Sequence, residues 1–186
     1  MRALFAVIGA SAVLVTGAIA AAPVLLSATS SSSSPAPACP SADPVMIGAI
    51  TVPSGPIAGY CQPELVNAAH IMNAALNLGL GPHTQAIGVM TAIGESGLVN
   101  LTYGDQAGVD SRGLFQQRDN GAWGTLSDRI NPFTAATNFF AALTAIPGWA
   151  DLAPTAAAHA VQVNADPNHY TAFFAAAQTI VTSLTP

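Results

Sequence analysis

The chain has 186 residues, of which only 7% are charged, and its net charge is −5. Its cations are Arg2, Arg112, Arg118 and Arg129, with no lysine. No basic patch can form to neutralise a phosphate backbone, which excludes nucleic acid as a partner, and the length suits one ordinary domain behind a leader.

Arg2 precedes an uncharged stretch, residues 3–26, long enough to span a bilayer. Ala20-Ala21-Ala22 offers a cleavage exit, but Pro23 would follow the cut. Residues 1–26 are therefore read as a signal peptide or a membrane anchor, which touches the membrane if uncleaved. The rest is expected to be exported to the cell envelope, membrane-anchored or secreted. Residues 27–44 read as a tether, because the serine run Ser30 to Ser34 and then Pro35-Ala36-Pro37 cannot bury a core. The domain is placed at 45–186. Cys39 and Cys61 are the only cysteines. In an exported chain such a pair predicts a disulfide, here stapling the Pro/Gly-rich segment 45–60 to the start of the domain.

The domain reads as mainly α. Pro63 opens a helical pattern through Leu65, Ala68, Ala69, Met72, Ala75 and Leu76 that stops near Gly79-Leu80-Gly81. Pro82-His83-Thr84 starts a second, almost wholly apolar helix leading to Glu95. Residues 100–125 are rich in Gly, Asp, Gln and Asn and read as loop, with a short hairpin near Val109 to Gln117. Asn131-Pro132 is an N-cap followed by a first-turn proline, and Pro147-Gly148 ends that helix. A further helix covers Pro154 to Val163. Asp166-Pro167 repeats the start signal, with Tyr170, Phe173, Phe174 and Ala177 at helical spacing behind it.

Only two glutamates occur, Glu64 and Glu95. Glu64 sits at a helix start. Glu95 ends a helix too apolar to face water, and Gly97 just beyond is a C-cap candidate. Burial and the negative end of the helix dipole both favour a neutral carboxyl there. A carboxylic acid still protonated near neutral pH is what glycoside cleavage requires.

Glu95-Ser96, then a loop, then Gly113-Leu114-Phe115-Gln116 resembles the Glu-Ser … Gly-Leu-Met-Gln signature of lytic transglycosylases and goose-type lysozymes. Gly113 to Arg118, followed by Trp123-Gly124, is also similar to a family of cell-wall hydrolases. The resemblance covers about Leu65 to Leu184. It implies a lysozyme-like helical domain with a short loop or hairpin region, acting on peptidoglycan glycan strands as a muramidase or lytic transglycosylase, without a cofactor. Glu95 would be the acid/base. Ser96, Gly113, Leu114, Gln116 and Tyr103 would form the substrate side, with Ser96 a hydrogen-bond partner near Glu95. Where related transglycosylases carry a late Ala-Tyr-Asn segment with a cleft tyrosine, this chain reads Ala160-Val161-Gln162.

Asp105, Asp110 and Asp119 are the candidates for a second carboxylate, and Asp110 is equally suited to capping a turn. Tyr103, Trp123 and Tyr170 can stack on sugars or fill the core. His70, His83, His159 and His169 lack metal-ligand spacing, so no metal is expected. Ser96 has neither a glycine elbow nor a histidine partner for nucleophilic work. The rival expectation is a non-catalytic wall-binding or scaffold component of an envelope-spanning machine.

Overall fold

The computed structural model describes residues 38–106 and 108–186. The expected leader, 1–26, and residues 27–37 of the expected tether lie outside the described residues. Within the described residues the chain is mainly helical, with one small sheet. Its elements are β1 (Val45–Ile47), β2 (Ile50–Val52), α1 (Gln62–Asn77), α2 (Pro82–Ser96), α3 (Leu126–Ile130), α4 (Pro132–Thr144), α5 (Pro154–Gln162) and α6 (Phe174–Leu184). Among the described residues no helix is long and apolar enough to cross a membrane.

The end of the expected tether is tied to the domain. Cys39 and Cys61 form the expected disulfide, 22 residues apart in sequence. Gln62 Nε2 donates to the carbonyls of Asp43 and Val52, at 2.8 and 3.2 Å. Between the two cysteines β1 and β2 pair antiparallel, Val45 opposite Val52 and Ile47 opposite Ile50. This hairpin is absent from the sequence reading, because strands of three residues are too short to show a period. Its trace is Ile50-Thr51-Val52, which alternates buried, exposed, buried. Ile50 and Val52 pack into the helical core.

Helix α1 starts at its proline, with the Glu64 carboxylate accepting the Cys61 N–H at 3.2 Å. Glu64 is thus a helix-capping side chain. Helix α2 is the centre of the domain. Every residue from Thr84 to Ile93 is buried, and it packs on α1, α4, α5 and α6. That accounts for its apolar sequence on all sides. It ends in left-handed Gly97, as expected.

Helix α4 begins as its sequence predicts, with Asn131 Oδ1 accepting the Thr134 N–H at 3.0 Å. Helix α3 is an addition to the sequence reading. Thr125 and Asp128 cap each other's backbone, but five residues carry no apolar period. The expected hairpin at 109–117 is a single bridge, with two backbone bonds of 3.0 and 3.1 Å between Arg112 and Gln117. The last helix starts later than Asp166-Pro167. Asp166 caps a turn, accepting the Asn168 N–H at 2.8 Å, and α6 begins only at Phe174. The intervening residues are drawn to the end of α2.

Candidate active site

Glu95 projects from the last turn of α2 into a cleft of about 670 Å³. Tyr103, Asp105, Gln116, Arg118, Asn164 and His169 line it with Glu95. A second hollow of about 270 Å³ shares Glu95, Gln116, Arg118 and Asn164, and adds Trp123, Gln162 and Val163. The carboxyl therefore stands where two lobes meet.

Tyr170 occupies one oxygen of this carboxyl. Its side chain is fully buried and its O–H donates to Glu95 Oε1. Gly94 makes room for it: a Cβ there would lie 2.7 Å from Tyr170 Cδ1. A glycine in the last turns of a helix costs up to about 1 kcal/mol relative to alanine, and here it admits an aromatic ring beside the backbone. His169, next in sequence, places Nε2 3.1 Å from the Gly94 carbonyl, so that nitrogen carries the hydrogen. These two anchors explain why residues 168–173 do not continue a helix from Pro167.

Burial pushes the Glu95 carboxyl above its usual range. The Tyr170 hydroxyl, His169 and the Gln162 amide pull the other way, Asp105 adds to the rise, and burial prevails. Burial and the neighbouring Glu95 also push Tyr170 far up, which leaves it a donor at any working pH. With Oε1 held as acceptor, the carboxylic proton belongs on Oε2.

No protein-family model matches this sequence. No curated protein matches it either.

The six residues assigned to the site divide into two groups. Glu95, Gln116 and Tyr103 line the main cleft together, and Tyr103 is 65% exposed at its rim. Ser96, Gly113 and Leu114 hold the architecture. Ser96 Oγ shares its proton between the carbonyls of Leu114 (2.8 Å) and Ala92 (3.0 Å), pinning the Gly113–Arg118 loop to α2. Leu114 is fully buried. Gly113 has a φ of +78°, donates its N–H to the Leu101 carbonyl at 2.7 Å, and lies where any side chain would collide with the Arg129 carbonyl. Its constraint is the protein's own backbone rather than the approach of a ligand.

The rest of the loop is similarly anchored. Phe115 stacks on Phe139 at 4.9 Å between ring centroids. Gln117 is buried and donates to the Ala135 carbonyl at 3.0 Å. Arg129, 3% exposed, donates to the Asp110 carbonyl at 3.2 Å and pairs with Asp119 at 3.1 Å. Asp110 binds Arg118 through Oδ1 at 2.7 and 2.9 Å and the Asp119 N–H at 2.8 Å. The Arg118 guanidinium holds the Asp110 carboxyl down to about 2. Asp110 is therefore a loop staple, and Asp119 is engaged by Arg129. Of the three loop aspartates only Asp105 lines the main cleft, where Oδ1 accepts the Gly108 N–H at 2.8 Å.

Sequence reasoning missed Gly94, Gln162, Asn164 and His169 as parts of this site, and read Tyr170 as a sugar platform or core residue rather than as the donor to Glu95. The local signals were Gly94, a costly residue late in an apolar helix, and the Asp166-Pro167 turn. Among the described residues no group of three His, Cys, Asp or Glu side chains is placed to hold a metal ion.

Proposed function

We propose that this is a lysozyme-like domain that cleaves the glycan strands of peptidoglycan, as a muramidase or lytic transglycosylase, with Glu95 as general acid and base. The observation carrying this reading is the partly buried Glu95 carboxyl at the junction of two lobes, biased towards its acid form with one oxygen already occupied by Tyr170. A linear polymer laid through both lobes places a linkage over Glu95. The Glu-Ser and Gly-Leu-Phe-Gln segments, folded against each other, point to wall glycan as that polymer. The disulfide suits an oxidising, exported setting.

In this mechanism the acid form of Glu95 passes its Oε2 proton to the glycosidic oxygen as the bond to the anomeric carbon breaks. The carboxylate left behind is held by Tyr170. It then takes a proton from the incoming nucleophile. Water as nucleophile gives hydrolysis, and a hydroxyl of the cleaved sugar gives an anhydro product. Asp105 is the carboxylate positioned to draw a proton from water on the cleft side.

Digestion of purified cell wall, with products read by mass spectrometry, tests this. Glu95→Gln keeps the shape and the Tyr170 contact but has no acidic proton, so cleavage should fall by about 10²–10⁴-fold. A fully active variant would end the reading, and wall binding without product from the wild type would favour a scaffold. Asp105→Asn should abolish hydrolytic product if Asp105 activates water and leave anhydro product intact otherwise.

A further inference from the structure

The smaller lobe beside Glu95 has a chemistry of its own. Trp123, Val161 and Val163 give it apolar walls, and Gln116, Asn120 and Gln162 give it amides. Backbone partners settle how each amide is turned. Carbonyls only accept, so the Nε2 atoms of Gln116 and Gln162 are the ones on the Gly113 and Phe115 carbonyls, at 3.2 and 2.8 Å. Asn120 uses its oxygen instead, which accepts the Ala122 N–H at 3.0 Å. What remains for a ligand is acceptors, the amide oxygens of Gln116 and Gln162, together with donors, foremost the Asn120 NH2 group. An anion would meet those acceptor oxygens, with Arg118 already bound by Asp110 at 2.7 Å. The lobe therefore suits a neutral group that both donates and accepts.

The backbone singles out Val163. Among the described residues Ala58, Leu98, Gln116 and Val163 are the non-glycine residues with positive φ. Gln116, at +45°, and Val163, at +51°, both line this lobe. Val163 is β-branched, which makes the left-handed region costly, and at 76% exposure its side chain gains little packing in return. Its own N–H holds it there, donating to the His159 carbonyl at 2.7 Å. So do its neighbours: Gln162 is pinned to Phe115, and Asn164 Oδ1 meets His159 Nδ1 at 2.9 Å. Strain enforced by surrounding contacts concentrates at ligand clamps and active sites.

We propose that Val163 and Trp123 are specificity-determining residues of a subsite, in the smaller lobe, for a sugar ring carrying a 2-acetamido group. At about 270 Å³ the lobe suits a single ring. Trp123 and the Val163 isopropyl pack on the apolar face of the ring and the acetyl methyl. The Gln116 and Gln162 oxygens accept from the acetamido N–H, and the Asn120 NH2 donates to its carbonyl. Replacing the acetamido group by a hydroxyl removes the methyl and leaves these amides without their partners. The inference rests on the reading of the cleft as a glycan site, and adds which substituent is recognised and on which side of Glu95.

Only two tryptophans exist, Trp123 and Trp149, so in the full chain carrying Trp149→Phe the emission reports on Trp123. The probes are the tetramer of N-acetylglucosamine and cellotetraose, neutral β-1,4 chains that differ at the 2-position. The acetylated tetramer should shift the emission and bind about tenfold or more tighter than cellotetraose. Asn120→Ala should shrink that preference. Val163→Asn tolerates the left-handed backbone, so it should raise the melting temperature while weakening the acetylated tetramer about fivefold and leaving cellotetraose nearly unchanged. A merely structural valine would show no such opposition between stability and affinity. If Trp149→Phe does not fold, calorimetric titration of the unaltered chain and of Val163→Asn reads the same affinities. Equal affinity for the two tetramers, no binding of either, or undiminished affinity in Val163→Asn overturns the subsite. The expected preferences without cleavage of cell wall would uphold the subsite and sink the glycosidase reading. Wall cleavage without those preferences would do the reverse.

Discussion

At Glu95, the proposed acid role and stability pull in opposite directions. Its carboxyl is raised by burial, so the folded state holds the proton more tightly than the unfolded chain. Its stabilising contribution is therefore fully present below the unfolded carboxyl range and is lost as pH rises through the raised folded value. Glu95→Gln, which cannot ionise, should match the wild-type melting temperature near pH 4 and exceed it at pH 7, as a pair of thermal melts will show. Equal melting at both pH values would contradict a partly buried, upshifted carboxyl. If Glu95 is the proposed acid, wall cleavage should show the same titration, with the rate falling as pH climbs past the Glu95 midpoint. At Gly113 a different outcome is expected. Any side chain meets the Arg129 carbonyl in a backbone that already has positive φ. Gly113→Val should cost several kcal/mol, on the order of 3, and abolish folding before it reveals anything about turnover. Chemical denaturation of Gly113→Ala and Gly113→Val measures this.

The elements that matter most are α2 and the turn between α5 and α6. Helix α2 crosses the centre of the domain and ends at the cleft, so its final turn combines core packing with exposure of one carboxyl. Gly94→Ala should gain up to about 1 kcal/mol in helix propensity and lose more, because the new methyl strikes the Tyr170 ring. The expected signature is a lower melting temperature together with a Glu95 titration moved upward, since the Tyr170 bond is disturbed. The turn offers the converse change. Val163 is 76% exposed and left-handed, so its side chain contributes little packing while its backbone is strained. Val163→Asn, a residue that tolerates this conformation, should stabilise the fold by about 1 kcal/mol without displacing Asn164. Its melting curve and wild-type-like Glu95 titration check both halves.

Across the whole domain, the disulfide ties an N-terminal hairpin to a helical body whose core is completed by Ile50 and Val52. Closing a loop of 22 residues should be worth roughly 3 kcal/mol in the chain-entropy account. Reduction, or Cys39→Ser with Cys61→Ser, should lower stability by about that amount and open the hairpin to proteolysis before α2 yields. Limited proteolysis with and without reductant tests the order.

Much of this was legible along the chain. The periods of α1, α2 and α4, their proline and asparagine starts, the Gly97 stop and the paired cysteines are all local signals, and each reports a choice made within a few residues. The unusual Glu95 was legible too, because an apolar helix ending in a carboxylate is conspicuous in one dimension. Tertiary structure decided what surrounds it. Tyr170 lies far along the sequence and reaches Glu95 only because Gly94 lacks a side chain and the Asp166 turn interrupts a helix that local spacing favours. The division of Asp105 from Asp110 and Asp119 likewise depended on where Arg118 and Arg129 came to rest. Local pattern determines which segments are helical and which carboxylate ends an apolar helix. Only long-range packing brings together the donors that set that carboxylate's proton.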